Sequence, residues 1–265
     1  MFDIDMHAWL SACGRWRETR GKRGKSRVAH VLIAMLAACI VPASADAALA
    51  VVGTRFVYPG DARTLTITAR NLGDAPILVQ TWLDDGDASA DPSLLRVPFV
   101  VAPPIARVDP RQPLAISVRS IGDELATDRE SRFWINLLEV PSIKEMAGNA
   151  LRIAYRLRMK LLYRPAGLNG GQADASNQLR WTLTDAPQRK SLVIANPTPY
   201  YVTLTRLLLS GNAVPIPGGA LDVAPFARVD IALNAPGGAA SGEIVFDAVG
   251  DDGTSREHRT SLQPP

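Results

Sequence analysis

An all-β fold of two immunoglobulin-like β-sandwich domains is the architecture this 265-residue sequence predicts, and three observations predict it. Short segments rich in Val, Ile, Leu and Thr recur between Gly, Pro, Asn and Asp punctuation, no long helical periodicity interrupts them, and one glycine-rich stretch separates two strand-rich halves. In the first half, residues 64–68, 77–82, 114–118 and 133–138 read as strands. Turn-forming residues separate them: Asn71 with Gly73 and Asp74, the Asp84, Asp85, Gly86, Asp87 cluster, and Pro103 with Pro104. The stretch 165–177, carrying Gly167, Gly170 and Gly171, reads as a linker. Beyond it, residues 191–194, 200–208 and 242–246 read as strands again. The boundary falls near residue 168, dividing a domain over 48–166 from one over 167–265.

Residues 1–47 read as a signal peptide with an unusually long basic leader. Arg20, Lys22, Arg23, Lys25 and Arg27 precede an apolar stretch from Val28 to Val41, and Ala43, Ser44 and Ala45 form a small-residue cleavage site, with Ala47 offering another. The apolar stretch is shorter than the roughly 20 residues that a bilayer-spanning helix needs, so stable membrane insertion is not expected. Residues 1–45 hold 7 of the 29 Lys and Arg and 3 of the 26 Asp and Glu, leaving 22 and 23, a net charge of −1. The whole-chain basicity belongs to the leader, and attraction to nucleic acid loses its support. Cys13 and Cys39 also lie in the leader, so an exported mature chain is held by packed cores without disulfides.

Catalytic chemistry has little to draw on. Of His7, His30 and His258 only His258 lies beyond the leader, near the C-terminus and expected to be solvent-exposed, with no nucleophile motif beside it. Cys/His metal sites fail by the same count. The acidic clusters at 84–87 and 251–253 lack the spaced ligands of a calcium loop and read as turns. No metal, cofactor or nucleotide is expected, and no enzymatic activity.

The most informative stretch is 151–160. Leu151, Ile153, Tyr155, Leu157 and Met159 alternate with Arg152, Arg156, Arg158 and Lys160, a period of two that builds a strand with one apolar and one cationic face. An extended apolar row at a sheet edge invites pairing with another chain; equally, it suits an ordinary core. Arg55 and Lys160 read either as exposed cations on separate strands or, where the domain's first and last strands converge, as a site for a carboxylate.

Several segments together resemble the periplasmic chaperones of the chaperone–usher pilus pathway, the PapD-like proteins. They are Thr54 with Arg55, the run from Phe99 to Pro110, Asp128 to Asn136, Leu151 to Pro165, and Asn196 to Val202, in the family's order and spanning nearly all of the chain beyond the leader. The resemblance implies a boomerang of two immunoglobulin-like domains with an interdomain cleft. It also implies a function: capping pilus or fimbrial subunits by donor-strand complementation in the periplasm and delivering them to an outer-membrane usher. By motif position Arg55 and Lys160 become anchors for the subunit's terminal carboxylate. Leu151, Ile153, Tyr155, Leu157 and Met159, within a subunit-binding strand over 150–162, become donor-strand side chains, and Glu130, Arg164 and Asp247 an interdomain ion-pair network. Self-association that caps the strand when no subunit is present is a further expectation. The competing reading is a secreted two-domain adhesion or structural protein, in which the alternating strand is plain core.

Overall fold

The computed structural model describes residues 48–122, 125–141, 153–186, 189–233 and 242–263; the leader and Leu151 lie outside them. The strands of the first half are β1 (Leu49–Val51), β2 (Arg55–Pro59), β3 (Leu65–Asn71), β4 (Ile77–Asp84), β5 (Phe99–Ala102), β6 (Ile105–Val108), β7 (Pro113–Ser120), β8 (Ser131–Pro141) and β9 (Tyr155–Arg164). They form one sheet in the order β1-β3-β7-β5 and another in the order β2-β9-β8-β4-β6. Every pairing is antiparallel except β2 with β9, which is parallel.

Alternation sets the inner faces. Ile67, Ile116 and Val118 from one sheet share a buried core with Val79, Ile135, Leu137 and Leu161 from the other, as expected for two facing sheets whose side chains point inward at every second residue. The rings of Tyr58, Phe99, Phe133 and Tyr163 pack edge-on or tilted, 5.0 to 6.2 Å apart, beside this core.

The second half contributes β10 (Arg180–Ala186), β11 (Arg189–Ala195), β12 (Val202–Leu209), β13 (Asn212–Ala213), β14 (Leu221–Val223), β15 (Arg228–Ala232), β16 (Glu243–Val249) and β17 (Ser255–Ser261). One sheet runs β10-β11-β15; in the other β12 pairs with β13, β14 and β16, and β16 with β17. A separate core gathers Trp181, Leu192, Ile194, Leu204 and Phe246, with the Trp181 and Phe246 rings 4.9 Å apart.

The two domains solve one problem in the same way. Where β3 leaves its sheet, the buried Asn71 side chain donates to Ala75 O and Val108 O and accepts from Gly73 N–H. After β11, Asn196 donates to Tyr200 O and Val223 O and accepts from Thr198 N–H. A buried carbonyl left without a donor is costly, and an asparagine supplies donors and an acceptor in one side chain. Between the domains, Gly167 and Gly170 adopt left-handed backbone (φ 80° and 77°) and a single helical turn, Gln172–Ala175, replaces the featureless linker expected there. No helix among the described residues is long and apolar enough to cross a membrane.

Candidate functional site

The strands that carry Arg55 and Lys160, β2 and β9, do converge. In the parallel β2–β9 register Arg55 lies opposite Lys160, so two cations separated by more than a hundred residues become neighbours. Both are largely withdrawn from solvent: Arg55 is 7% exposed and the Lys160 side chain 12%. Arg55 Nη1 donates to the carbonyl of Val249 at 3.0 Å. Lys160 Nζ donates to Thr203 Oγ1 at 3.1 Å and to Asp222 Oδ1, while the other Asp222 oxygen accepts from Arg132 Nη1 at 2.6 Å. Thr203, Asp222 and Val249 all belong to the second domain, so the cations of the first domain meet groups supplied by the second. Burial pushes the Lys160 ammonium below its ordinary range; Asp222 pulls it back, and the Arg55 and Arg132 charges push it further down. Burial lowers Arg55 as well, against the carboxylates of Asp222, Asp251 and Glu130. Burial also opposes the charge on Asp222, but Lys160, Thr203 and Arg132 outweigh it and hold the carboxyl below its usual range.

Glu130 and Arg164 form an ion pair, Nε to Oε1 at 2.6 Å. The third member is Asp251, which accepts both Arg164 Nη1 and Nη2, at 2.7 and 2.9 Å. Asp247, expected in that place, is not part of the network: it sits on β16 and takes the Arg206 guanidinium of β12 in two hydrogen bonds, 2.9 and 2.8 Å. Asp251 lies in the turn after β16, and the turn carries its carboxylate across to Arg164. Glu130 is nearly fully buried; its second oxygen accepts Tyr201 N–H at 2.7 Å, and its own N–H donates to Pro199 O at 2.9 Å. Burial pushes the Glu130 carboxyl up, with Arg164 and the Tyr201 N–H working against that shift.

Strand β9 pairs with β8 from Tyr155 to Tyr163 but with β2 only from Lys160 to Arg164. Among the described residues, its edge is therefore open along 155–159, directly before Lys160. Tyr155, Leu157 and Met159 lie opposite Glu139, Leu137 and Ile135, and since Leu137 and Ile135 are core, this row faces the domain's own interior. Its exposure is graded. Met159 is 8% exposed and part of the core, Leu157 packs on the core while partly covered, Tyr155 is half-buried, and Ile153 is 44% exposed. Met159, expected to serve a partner, is a core residue here: it lies opposite Ile135 of β8, and both belong to the buried cluster between the sheets.

The opposite face of β9 is a ladder of cations and indoles. The Arg158 guanidinium lies 4.1 Å over the Trp134 ring and Arg156 4.9 Å over Trp82. Asp84, with a side chain 0% exposed, accepts from Arg158 at 2.5 and 3.1 Å and from Asn136 at 2.7 Å. Alternation of Trp82 with Asp84 on β4 and of Trp134 with Asn136 on β8 was the signal for this ladder. It shows only when the strands are laid side by side; Asp84, expected in a turn, accepts Gly86 N–H there at 2.9 Å and is also a buried ion-pair partner. In the 251–253 cluster Asp252 does serve a turn, accepting Thr254 N–H at 3.0 Å. His258, expected to be exposed, is half-buried: its ring stacks on Phe246 at 5.2 Å and its Nδ1 lies 2.9 Å from Asn177 Oδ1.

Two family models match the chain: "Pili and flagellar-assembly chaperone, PapD N-terminal domain" over residues 48–169 and "Pili assembly chaperone PapD, C-terminal domain" over 174–260. Among curated relatives, the probable fimbrial chaperone YadV of Escherichia coli is 34% identical over 240 residues, covering 88% of this chain and 98% of YadV. The chaperone protein FimB/FhaD of Bordetella pertussis is 42% identical over 204 residues, covering 75% of this chain and 79% of its own. Among solved structures, that of the YadV chaperone superposes with a TM-score of 0.66 at 33% identity, covering 82% of this chain and all 100% of its own. A chain from the Salmonella enterica SafA pilin in complex with the SafB chaperone superposes with a TM-score of 0.69 at 27% identity, over 83% of this chain and 98% of that one.

Proposed function

The chain belongs to the PapD family of pilus-assembly chaperones, and from that premise we propose that it captures pilus subunits in the periplasm and delivers them to an outer-membrane usher, after removal of the leader at residues 1–47. Capture needs two things from the protein: a site for the subunit's terminal carboxylate and a strand edge on which the subunit can complete its sheet. The observation that carries this reading is that the two are contiguous. Strand β2 covers β9 only from Lys160 onward, so a peptide lying along the open edge at 155–159 takes up the line of β2 and ends at the paired cations.

The same geometry implies a direction. β2 runs parallel to β9, and an incoming chain that ends at Lys160 after passing Tyr155 also runs parallel to it. Its last carboxylate then meets Arg55 and Lys160, whose hydrogen bonds to an anion are charge-assisted and strong in a site withdrawn from water. Tyr155 and Ile153, the less covered members of the apolar row, are the side chains free to fill a gap in an incomplete partner sandwich, and Leu157 completes the row from a partly packed position. Such a gap otherwise exposes core and strand edge, the surfaces that aggregate. That is chaperoning by binding alone; the family's role is not enzymatic.

The test is capture of a pilin-like subunit encoded beside the chain's gene, co-expressed with Lys160→Ala, Arg55→Ala or both. Each single change removes a charge-assisted donor, a loss of about 1.5 to 3 kcal/mol, so subunit recovery drops at least tenfold while the chaperone's far-UV spectrum is unchanged. Wild-type recovery by the double variant would sink the anchor assignment.

A further inference from the structure

The anchor site already holds a carboxylate. Asp222 accepts Lys160 and Thr203 on one oxygen and Arg132 on the other, and among the described residues it is the salt-bridge partner of Lys160. We propose that Asp222 is an internal stand-in for the subunit's terminal carboxylate, holding Lys160 in the free protein and yielding it on capture while keeping Arg132. This rests on the reading of Arg55 and Lys160 as the carboxylate anchors.

Three features make the exchange physically reasonable. The first is charge: Lys160 and Arg132 bind Asp222 and Arg55 lies within its electrostatic reach, whereas Glu130 and Asp251 are engaged by Arg164. One acid among three cations leaves room for a second anion. The second is that Asp222 bridges two cations, so releasing one does not leave a buried carboxylate unpaired, the outcome that makes breaking buried ion pairs expensive. The third is that Arg132 is held in place to receive it: its guanidinium lies 5.4 Å from the Tyr201 ring and 5.7 Å from the Trp134 ring, and its buried Nε has no hydrogen-bond partner among the described residues. The depressed Asp222 carboxyl agrees with an acid that is ionised throughout.

The consequence is selectivity. A free carboxylate in solution has to compete with an aspartate tethered at the same lysine, and it prevails only when its chain also pairs along β9, which raises its effective concentration at the site. Asp222 thereby biases the anchors against stray anions and toward polypeptide ends, and it keeps Lys160 and Arg132 from being buried without an anion when the cleft is empty.

The experiment is a calorimetric titration of the wild-type chain, Asp222→Asn and Arg132→Leu with a synthetic peptide of alternating apolar residues. The peptide is used with a free α-carboxylate and as its C-terminal amide. Removing the competitor makes Asp222→Asn bind the acid peptide on the order of tenfold more tightly with the amide unaffected. Arg132→Leu, which leaves Asp222 with Lys160 alone, binds the acid several-fold more weakly. Equal or weaker binding of the acid by Asp222→Asn overturns the proposal and makes Asp222 a support for Lys160. If the wild-type chain does not prefer acid over amide, the anchor reading fails and takes the proposal with it; that arm contains no change at Asp222, so the two failures are distinguishable. A second measurement needs no variant. The side-chain carboxyl of Asp222, followed by carbon NMR across a pH titration, moves up toward the ordinary aspartate range when the acid peptide saturates the wild-type protein. A pH midpoint that stays or falls overturns the proposal.

Discussion

Asp84 and Asp222 are both withdrawn from water and each is flanked by two basic side chains, Arg156 and Arg158 for the one, Lys160 and Arg132 for the other, yet they serve different ends. Asp84 is enclosed within one domain, where Arg158, Asn136 and the Gly86 N–H all donate to it. Burial disfavours its charge, but these hydrogen bonds outweigh that and hold the carboxyl below its ordinary range. A carboxylate depressed by folding contributes stability that is complete above the unfolded value, about 4, and is lost as pH falls through the folded one. Asp84→Asn therefore lowers stability by roughly 2 kcal/mol at pH 7, and the gap from wild type closes as pH is taken below about 4. Chemical denaturation at several pH values measures this; a gap that persists in acid contradicts it. At this scale the sequence showed Arg55, Lys160, Glu130 and Arg164 through the motifs that hold them. It did not show Asp222 or Arg132 as partners, because 90 residues separate them and nothing local marks the pair. Asp251 was missed in favour of Asp247 for a similar reason: only the turn after β16 decides which of the two acids reaches Arg164.

At the scale of the strand, alternation announced β9 but not how its row is divided. A period of two says which side chains share a face, not whether that face meets the home core or a partner. The division follows the pairing with β8, which sets Met159 opposite the core residue Ile135 and Tyr155 opposite Glu139 at the far end of the row, and pairings between distant strands leave no local trace. Ile153→Ser with Tyr155→Ser, at the uncovered end, accordingly leaves the thermal midpoint of the free protein nearly unchanged and removes subunit binding. Met159→Ala, in the core cluster, costs the free protein about 2 to 5 kcal/mol, as large-to-small core changes do. Thermal unfolding of both variants beside a pull-down checks the division; a large drop in midpoint for the Ile153 and Tyr155 pair would return the whole row to plain core. Strands such as β3, β4 and β7 were legible because β-branched residues alternate between turn residues within a few positions. Short β5 and β6 were not, being four residues each on either side of the turn at Pro103 and Pro104.

Across the whole molecule, two separate cores are joined by ionic and backbone contacts from the start of β2, the start of β8 and the second half of β9. Lys160 reaches Asp222 and Thr203, Arg55 reaches Val249, Arg164 reaches Asp251, and Glu130 accepts from Tyr201. Polar contacts of this kind hold through geometry more than through area, which suits a protein whose second domain must present groups to cations of the first. The open edge and Lys160 follow one another along β9, with Arg55 beside Lys160 on β2, so the proposed capture is an act of strand pairing beside a carboxylate clamp. Hydrogen exchange of the backbone amides, with and without a bound pilin-like subunit, tests this most directly. The account predicts that amides along the open edge between Tyr155 and Met159 become strongly protected in the complex, while those of residues 160–164, already paired on both sides, change little. Unchanged exchange at 155–159 in a complex of proven stoichiometry would contradict it.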